Sequence, residues 1–400
     1  MIGISKLYCG TVEPSDALRY GRHSKDLPSQ LLQFSIDKKP VVVWNVTRAC
    51  NLNCLHCYAR AVERTREKEL THDQGIKLID DLARFGVPVI LFSGGEPILR
   101  PDLPDLASYA VKKGMRAVIS TNGTLITREK ALELKQIGLS YVGVSLDGME
   151  AVNDRFRGKN GAFKEALAGI SNCQDVGLKV GLRFTINRMN VDEIPRVLDL
   201  LEEKRIPRVC FYHLVYAGRG SDLMDQDLGH NETRKAVDLI IDRTRDLHQK
   251  RMPAEVLTVD NHADGPFLYL RMLREKSSRA DDVLQLLRMN EGNNSGRGIG
   301  CISWDGSVHA DQFWRHYSFG NVLERPFSEI WTDLSNPLMS RLKEKKKYVT
   351  GRCAKCRWLD ICAGNFRVRA EAATNDLWAP DPACYLTDEE IEDKSLKGEV

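Results

Sequence analysis

The 400-residue sequence has no apolar run near the ~18 residues a membrane span needs; runs such as Pro40 to Val46 stop far short. Its first residues, MIGISKLYCGTVEPSD, contain no signal-peptide h-region, so Leu7-Tyr8-Cys9-Gly10 has no export route as a lipoprotein cysteine. It also lacks an excess of one charge. The 58 Lys plus Arg against 55 Asp plus Glu leave +3, too little for a duplex-binding surface. There is no low-complexity segment. These shortages argue against a membrane protein, a secreted disulfide scaffold and a nucleic-acid binder, and point to a cytoplasmic globular protein. Cysteine is not in short supply. There are eleven, an odd number that cannot all pair, and seven fall in two tight groups. In a long chain without an export signal, such grouping reads as metal binding before disulfides. Cys9, Cys173, Cys210 and Cys301 read as ordinary small buried residues.

From about residue 40 to 250 strand and helix alternate six times. Pro40 to Val46 (PVVVWNV) is apolar throughout, as a strand buried on both faces should be. Thr71 to Phe85 is helical, with Ile76, Ile79, Leu82 and Ala83 on one face, a Thr71/Gln74 capping box and Gly86 as the stop. Strands follow at Pro88 to Ser93, Arg116 to Ser120, Tyr141 to Leu146, Val180 to Ile186 and Arg208 to Leu214. Helices are expected at Asp102 to Lys113, Arg128 to Ile137, Ala162 to Asp175, Asp192 to Glu203 and Glu232 to His248. Short connections and Val/Ile/Phe-rich strands make this a parallel α/β protein. Six units are fewer than the eight of a closed barrel, so a partial (β/α)6 TIM barrel is expected, with a doubly wound sheet as the alternative. Residues 251–300 interrupt the repeat with a strand at Glu255 to Val259, two helices (Pro266 to Arg274, Asp281 to Met289) and a Gly/Asn-rich linker. A β-hairpin turns at Asp305-Gly306. The expected organisation is an N-terminal cap (1–39), a barrel (40–250), connecting helices (251–300) and a cysteine-bearing C-terminal domain (301–400).

Cys50, Cys54 and Cys57 directly follow the first strand. Three thiolates at spacings of four and three can hold a four-iron cube from one loop and leave one iron open, as catalysis at a metal requires. The spacing also admits zinc completed by His56. One βα unit later the second strand ends in Ser93-Gly94-Gly95-Glu96-Pro97. Two glycines allow close backbone approach to a ligand, and a carboxylate suits an ammonium. Cys-x3-Cys-x2-Cys with Tyr58 directly after it, followed by GGEP, resembles the radical S-adenosylmethionine (SAM) superfamily. The resemblance implies a [4Fe-4S] cluster on Cys50, Cys54 and Cys57. SAM would be held by Tyr58, Gly94, Gly95 and Glu96, with Glu96 on the methionine ammonium, and by Asn122, Ser145, Asp147 and Arg183 at later strand ends.

The second group is Cys353-x2-Cys356-x5-Cys362, with Cys384 after a gap. Four thiolates can close a zinc site or a second [4Fe-4S] cluster. The arrangement resembles the auxiliary-cluster ligands of SPASM/twitch extensions on radical SAM enzymes, which implies the second cluster. A complete SPASM extension has seven cysteines for two clusters. Here Asp311 and Phe366 stand at two further ligand positions, which implies that the first auxiliary cluster is missing and that Cys301 is a strand residue; Phe366 cannot bind iron, whereas a carboxylate can, so an unusual site with Asp311 as a ligand is the alternative.

The segments MIGISKLYCGTVEPSDALRYGR, KKPVVVWNVTRACNLNCLHCYA and GSVHADQFW resemble the radical SAM enzymes of the sirohaem-dependent haem pathway. This implies reductive SAM cleavage and removal of two acetate side chains from an iron tetrapyrrole, with an electron from ferredoxin or flavodoxin. Enzymes of denitrifier haem synthesis and SPASM peptide-modifying enzymes are the alternatives. An iron macrocycle bearing carboxylates calls for Arg and His in its pocket. The candidates are Arg22, Arg183, Arg188, His213, Arg219, Arg297, Arg315 and His316. The basic stretch Arg341 to Arg357 is either a solvated helix face or a dock for an acidic electron donor.

Overall fold

The computed structural model describes residues 1–12, 39–65, 68–252 and 254–392. Arg22 lies outside the described residues. After β1 (Ile2–Gly3) the chain runs through β2 (Val41–Thr47), α1 (His72–Phe85), β3 (Val89–Gly94), α2 (Leu103–Lys112), β4 (Arg116–Thr121), α3 (Arg128–Gln136) and β5 (Tyr141–Ser145). It continues as α4 (Glu150–Arg157), α5 (Ala162–Asp175), β6 (Val180–Ile186), α6 (Ile194–Glu203), β7 (Arg208–His213), α7 (His230–Gln249) and β8 (Glu255–Val259). Then come α8 (Asp264–Arg274), α9 (Ala280–Asn290), β9 (Ile299–Ile302) and β10 (Val308–His309).

All ten described strands join one sheet, in the order β1-β8-β7-β6-β5-β4-β3-β2-β9-β10. From β9 through β2 and on to β8 every neighbouring pair is parallel, while β1 and β10 add antiparallel edges. The sheet stays open, since β1 and β10 end it rather than pair with each other. It is the expected partial barrel with more strands than the six anticipated. Glu255–Val259, expected in a connecting stretch, pairs with β7. The hairpin strand expected in the C-terminal domain pairs with β2. Both cover edges that six parallel strands alone would leave with unpaired backbone groups. The short helix α4 was not anticipated. Its eight residues, EAVNDRFR, are mostly polar, and the apolar face is little more than Phe156.

Local signals were realised closely in α1. Thr71 N–H donates to Gln74 Oε1 (2.8 Å), Gln74 N–H donates to Thr71 Oγ1 (3.3 Å), and Gly86 closes the helix at φ 87°. Leu78, Ile79 and Leu82 are buried beneath it, and Ile76 and Ala83 are half-buried at the margin. Trp44 and Phe92 meet inside the sheet at 5.9 Å, and Phe184 packs edge-on to Phe211 at 5.6 Å.

Beyond β10 lie six short helices: α10 (Phe327–Thr332), α11 (Pro337–Lys343), α12 (Gly351–Lys355), α13 (Leu359–Cys362), α14 (Arg367–Thr374) and α15 (Asp388–Glu392). Arg369 fastens this region to the barrel. It is fully buried in a salt bridge with Asp381 (2.8 Å) and donates to the carbonyls of Leu214 (2.9 Å) and Asp260 (2.8 Å), just past β7 and β8. No described helix is long and apolar enough to cross a membrane.

Candidate functional site

Cys50, Cys54 and Cys57 line one cavity of about 140 Å³ at the C-terminal ends of the parallel strands. That is where parallel barrels place their chemistry. The GGEP turn builds the wall behind them. A Cβ on Gly94 would stand 2.3 Å from the Thr47 carbonyl oxygen, and one on Gly95 would stand 2.1 Å from that of Ala49. Gly95 N–H donates to Thr47 O and Glu96 N–H to Ala49 O, each at 2.7 Å. The glycines thus let the end of β3 close onto the chain's own cysteine loop.

The three sulfurs fit iron ligation. Each receives N–H groups: Leu52 N on Cys50 (3.4 Å), Arg157 Nη1 on Cys54 (3.6 Å) and Ala61 N on Cys57 (3.4 Å). Asn122 Nδ2 adds a longer contact to Cys50 at 3.9 Å. Such donors suit sulfur that carries negative charge in a cluster. Burial otherwise pushes the Cys50 thiol up to about 12 and raises Cys54 as well. A bound cationic group reverses that balance.

Tyr58, Gly94, Gly95, Asn122, Ser145 and Arg183 line the same cavity, as do His213 and Arg219. Tyr58 donates to Asn45 Oδ1 and meets Ser93 Oγ, both at 3.0 Å, and Arg183 stacks over Tyr212 at 4.7 Å. Asp147 is elsewhere. It is fully buried, paired with Arg157, and accepts Thr185 N–H at 2.7 Å. A strand-end Asp-Gly signals a turn and a carboxylate, but an arginine from the unanticipated α4 claims that carboxylate. Asp147 thereby joins Arg157 to the end of β6.

Glu96 is likewise held within the chain. It is fully buried, and its carboxylate accepts Ile98 N–H (3.1 Å), Thr121 Oγ1–H (2.7 Å) and Asn122 N–H (2.8 Å). Burial pushes its pKa up to about 7 against these three donors. The carboxylate ties β3 to β4 at the cavity end of the sheet. Glu96→Gln swaps one acceptor oxygen for a donor and leaves a buried N–H or O–H unmatched. We expect a stability loss of about 1–3 kcal/mol, with SAM binding about tenfold weaker. Thermal melts beside equilibrium dialysis test this. Weaker binding at unchanged stability would restore the direct contact.

The second group also converges. Cys353, Cys356, Cys362 and Cys384 line a small cavity of about 20 Å³ with Ala263, Leu359, Leu386 and Ile391 among the other walls. Trp358 N–H reaches Cys356 at 3.4 Å, and backbone N–H groups of Asp381, Asn365 and Leu386 serve Cys353, Cys362 and Cys384. Burial pushes Cys362 and Cys384 up to about 12. Among the described residues no three His, Cys, Asp or Glu side chains converge at single-ion distance. The four thiols line one small cavity, the convergence that either a zinc ion or a second [4Fe-4S] cluster requires.

Where a first auxiliary cluster would stand, the chain has other contents. Asp311 is buried and accepts Ser295 Oγ–H (2.5 Å), Phe313 N–H (2.8 Å) and Trp314 N–H (3.2 Å). Phe366 packs edge-on to Phe313 at 5.5 Å, and Phe313 to Tyr58 at 5.3 Å. Cys301 sits in β9 and accepts Asn45 Nδ2–H at 3.5 Å. Lys345, buried nearby, donates to Asn293 O, Asn293 Oδ1 and Ser295 O at 2.8–3.0 Å.

Two other candidates are held in ion pairs within the chain. Arg188 pairs with Glu232 at 3.1 Å, and Arg297 with Glu291 at 3.1 Å. Much of the 341–357 stretch is engaged within the chain: Lys345 as above, Lys346 with Asp360 (2.9 Å), Lys347 with Glu344, and Arg352 with Asp388 (3.0 Å). His56, named above only as a possible zinc ligand, lies on the main cavity wall, as do four residues not anticipated from the sequence, Arg157, Asp260, Gln312 and Phe313. Burial lowers His56 to about 4 and raises Asp260 to about 6. Asp260 carries a left-handed φ of 65°, and its Oδ2 is buried without a hydrogen-bond partner. His56 lay inside the cysteine motif and could have been found there; the others carry no local signal.

A radical SAM superfamily model matches residues 44–201, and the SPASM iron-sulfur cluster-binding domain matches residues 295–357. The chain is 69% identical to Fe-coproporphyrin III synthase of Methanosarcina barkeri, over 98% of this chain and 99% of that one. It is 42% identical to pre-heme d1 synthase of Dinoroseobacter shibae, over 87% of each chain. Among solved structures, native anSMEcpe with bound AdoMet and a Cp18Cys peptide is similar at TM-score 0.66 and 17% identity, covering 86% of this chain and 94% of that one. At that identity the likeness concerns the fold.

Proposed function

The chain belongs to the radical SAM superfamily, and from that premise we propose that it removes two acetate side chains from 12,18-didecarboxysirohaem to give Fe-coproporphyrin III. The observation that carries the reading is the 69% identity to Fe-coproporphyrin III synthase, unbroken over nearly the whole of both chains. It is an enzyme that binds a [4Fe-4S] cluster with SAM and holds further iron-sulfur through its SPASM domain. When bound, the first cluster and SAM supply hydrogen-abstracting radical chemistry. The chain's own residues bind, orient and shield. In this reading Cys50, Cys54 and Cys57 hold the SAM-binding cluster, and Cys353, Cys356, Cys362 and Cys384 the auxiliary one. Tyr58, the Gly94-Gly95 backbone, Asn122, Ser145 and Arg183 face SAM. Asp147, Arg157 and Glu96 hold the loop and strand ends in register behind it.

His213 is set for the tetrapyrrole side of the cavity. Its Nε2 meets Asp264 Oδ2 at 2.9 Å, and the other Asp264 oxygen accepts Tyr385 O–H at 2.6 Å. That chain fixes the ring orientation, as supporting carboxylates do for functional histidines. A low-potential donor of the ferredoxin or flavodoxin type supplies the electron, in the cytoplasm. The test is anaerobic incubation with SAM, a reductant and didecarboxysirohaem, followed by mass analysis of the pigment. Loss of two acetate side chains supports the reading. The 42% identity to pre-heme d1 synthase keeps one rival outcome, a product with its peripheral groups otherwise altered.

A further inference from the structure

Asp260 is the one carboxyl among the described residues that line the cysteine cavity. It directly follows β8, whose last residue, Val259, pairs with Tyr212 of β7. Asp260 is only 8% exposed, and its Oδ2 makes no hydrogen bond. A buried carboxylate oxygen without a donor is costly, and it persists where a ligand or a reaction supplies the missing partner.

The C-terminal segment fixes this position through several buried bonds. Arg369 Nη2 donates to the Asp260 carbonyl at 2.8 Å, while the same guanidinium is salt-bridged to Asp381. The next residue, Asn261, donates to the Ala383 carbonyl and accepts from Asn365 Nδ2, each at 2.8 Å. Asn365 in turn accepts the His262 N–H at 2.7 Å. These bonds hold Asp260 at its left-handed φ of 65°. Asp tolerates that conformation better than most residues, but it still costs energy. An aspartate spent on closing a turn bonds backbone N–H groups, as Asp311 does with Phe313 and Trp314. The Oδ2 of Asp260 bonds none. Burial holds its carboxyl up near 6, and a polycarboxylate seated beside it raises it further. Asp260 can therefore carry a proton near neutral pH and give it up.

Removal of a side chain as acetate needs such a proton. One bond between a ring carbon and a CH2 group breaks. When hydrogen is abstracted from the neighbouring ring carbon, that break forms a ring double bond, and the departing CH2–COO fragment is one electron and one proton short of acetate. The electron comes from the low-potential donor of the reading above. Resting on that reading, we propose that Asp260 is a catalytic residue that gives the proton to the departing carbon. Its O–H bond breaks as the new C–H bond forms, and solvent reprotonates the carboxylate before the second removal. His213, on the same wall, has its Nε2 committed to Asp264, which leaves the proton transfer to Asp260.

The experiment uses the anaerobic holoenzyme with SAM, a reductant and didecarboxysirohaem. In D2O the wild type should release acetate with one deuterium in each methyl group. Asp260→Asn keeps the shape, and Asp260→Ser is a second, smaller variant without the acid. Each should lower Fe-coproporphyrin III formation by about a hundredfold or more. The ratio of 5′-deoxyadenosine to product should rise by at least about tenfold, because abstraction is spared and completion is not. Asp260→Glu retains the acid and should convert substrate at least about tenfold faster than either. Absorbance titration should show didecarboxysirohaem bound by Asp260→Asn within about threefold of the wild type. Acetate without deuterium, a folded acid-free variant with the wild-type ratio, or a Glu variant no better than the acid-free ones overturns this inference alone. So does a tenfold or greater loss of pigment affinity, which would make Asp260 a binding group. A wild type that releases neither acetate nor Fe-coproporphyrin III overturns the inference together with the function it rests on.

Discussion

Replacing Cys50, Cys54 and Cys57 together by alanine is expected to abolish SAM cleavage and to halve the iron, from about eight to about four per chain, as two four-iron sites reduce to one. The effect is large because no other residue can substitute. The three thiols share one cavity and each is met by its own N–H donor, from Leu52, Arg157 and Ala61. Removing them leaves Arg157 paired with Asp147, so the buried charge is not stranded and the fold should survive. Iron analysis of anaerobically purified protein, beside an assay for 5′-deoxyadenosine, checks both halves. Iron that stays at the wild-type level, or stoichiometric zinc in its place, would remove the basis for the cluster assignment.

The donors that meet those sulfurs show where sequence reading succeeds and where it stops. The cysteines, the GGEP turn and the strand ends at Asn122 and Ser145 are local in sequence, and spacing alone brings them to one end of a parallel sheet. The same locality says less about Glu96 and Asp147. A carboxylate beside a ligand-binding turn looks like a ligand contact until its partners are known. Those partners, Thr121 and Asn122 for Glu96 and Arg157 for Asp147, are 25 to 26 and 10 residues away in sequence. Arg157 itself was hidden because α4 has too few apolar residues to show a periodic pattern. The register of Glu255–Val259 and Ile299–Ile302 was hidden for a related reason. A short apolar strand states that it is buried, but not which sheet edge it covers.

The second large effect expected separates the two cysteine groups. Cys384→Ala should still bind SAM and cleave it slowly with a strong reductant, because the cavity that holds Cys50, Cys54 and Cys57 does not include it. Tetrapyrrole conversion should fall by on the order of a hundredfold or more. Two routes lead to that loss. One is electronic, through the auxiliary cluster that Cys384 is proposed to complete. The other is mechanical: Tyr385, the next residue, donates to Asp264, which orients His213 in the reaction cavity. Tyr385→Phe distinguishes them. It deletes the hydroxyl that reaches Asp264 while leaving all four thiols in place. If Tyr385→Phe retains most activity and Cys384→Ala does not, the loss belongs to the cluster. If the two fall together, the segment acts by holding His213. Conversion by Cys384→Ala at the wild-type rate would make the second group a structural staple with no part in the reaction. Failure to cleave SAM even with strong reductant would instead mean that the C-terminal helices keep the barrel in shape. The Arg369 clamp on the ends of β7 and β8 makes that outcome a physical possibility to be measured.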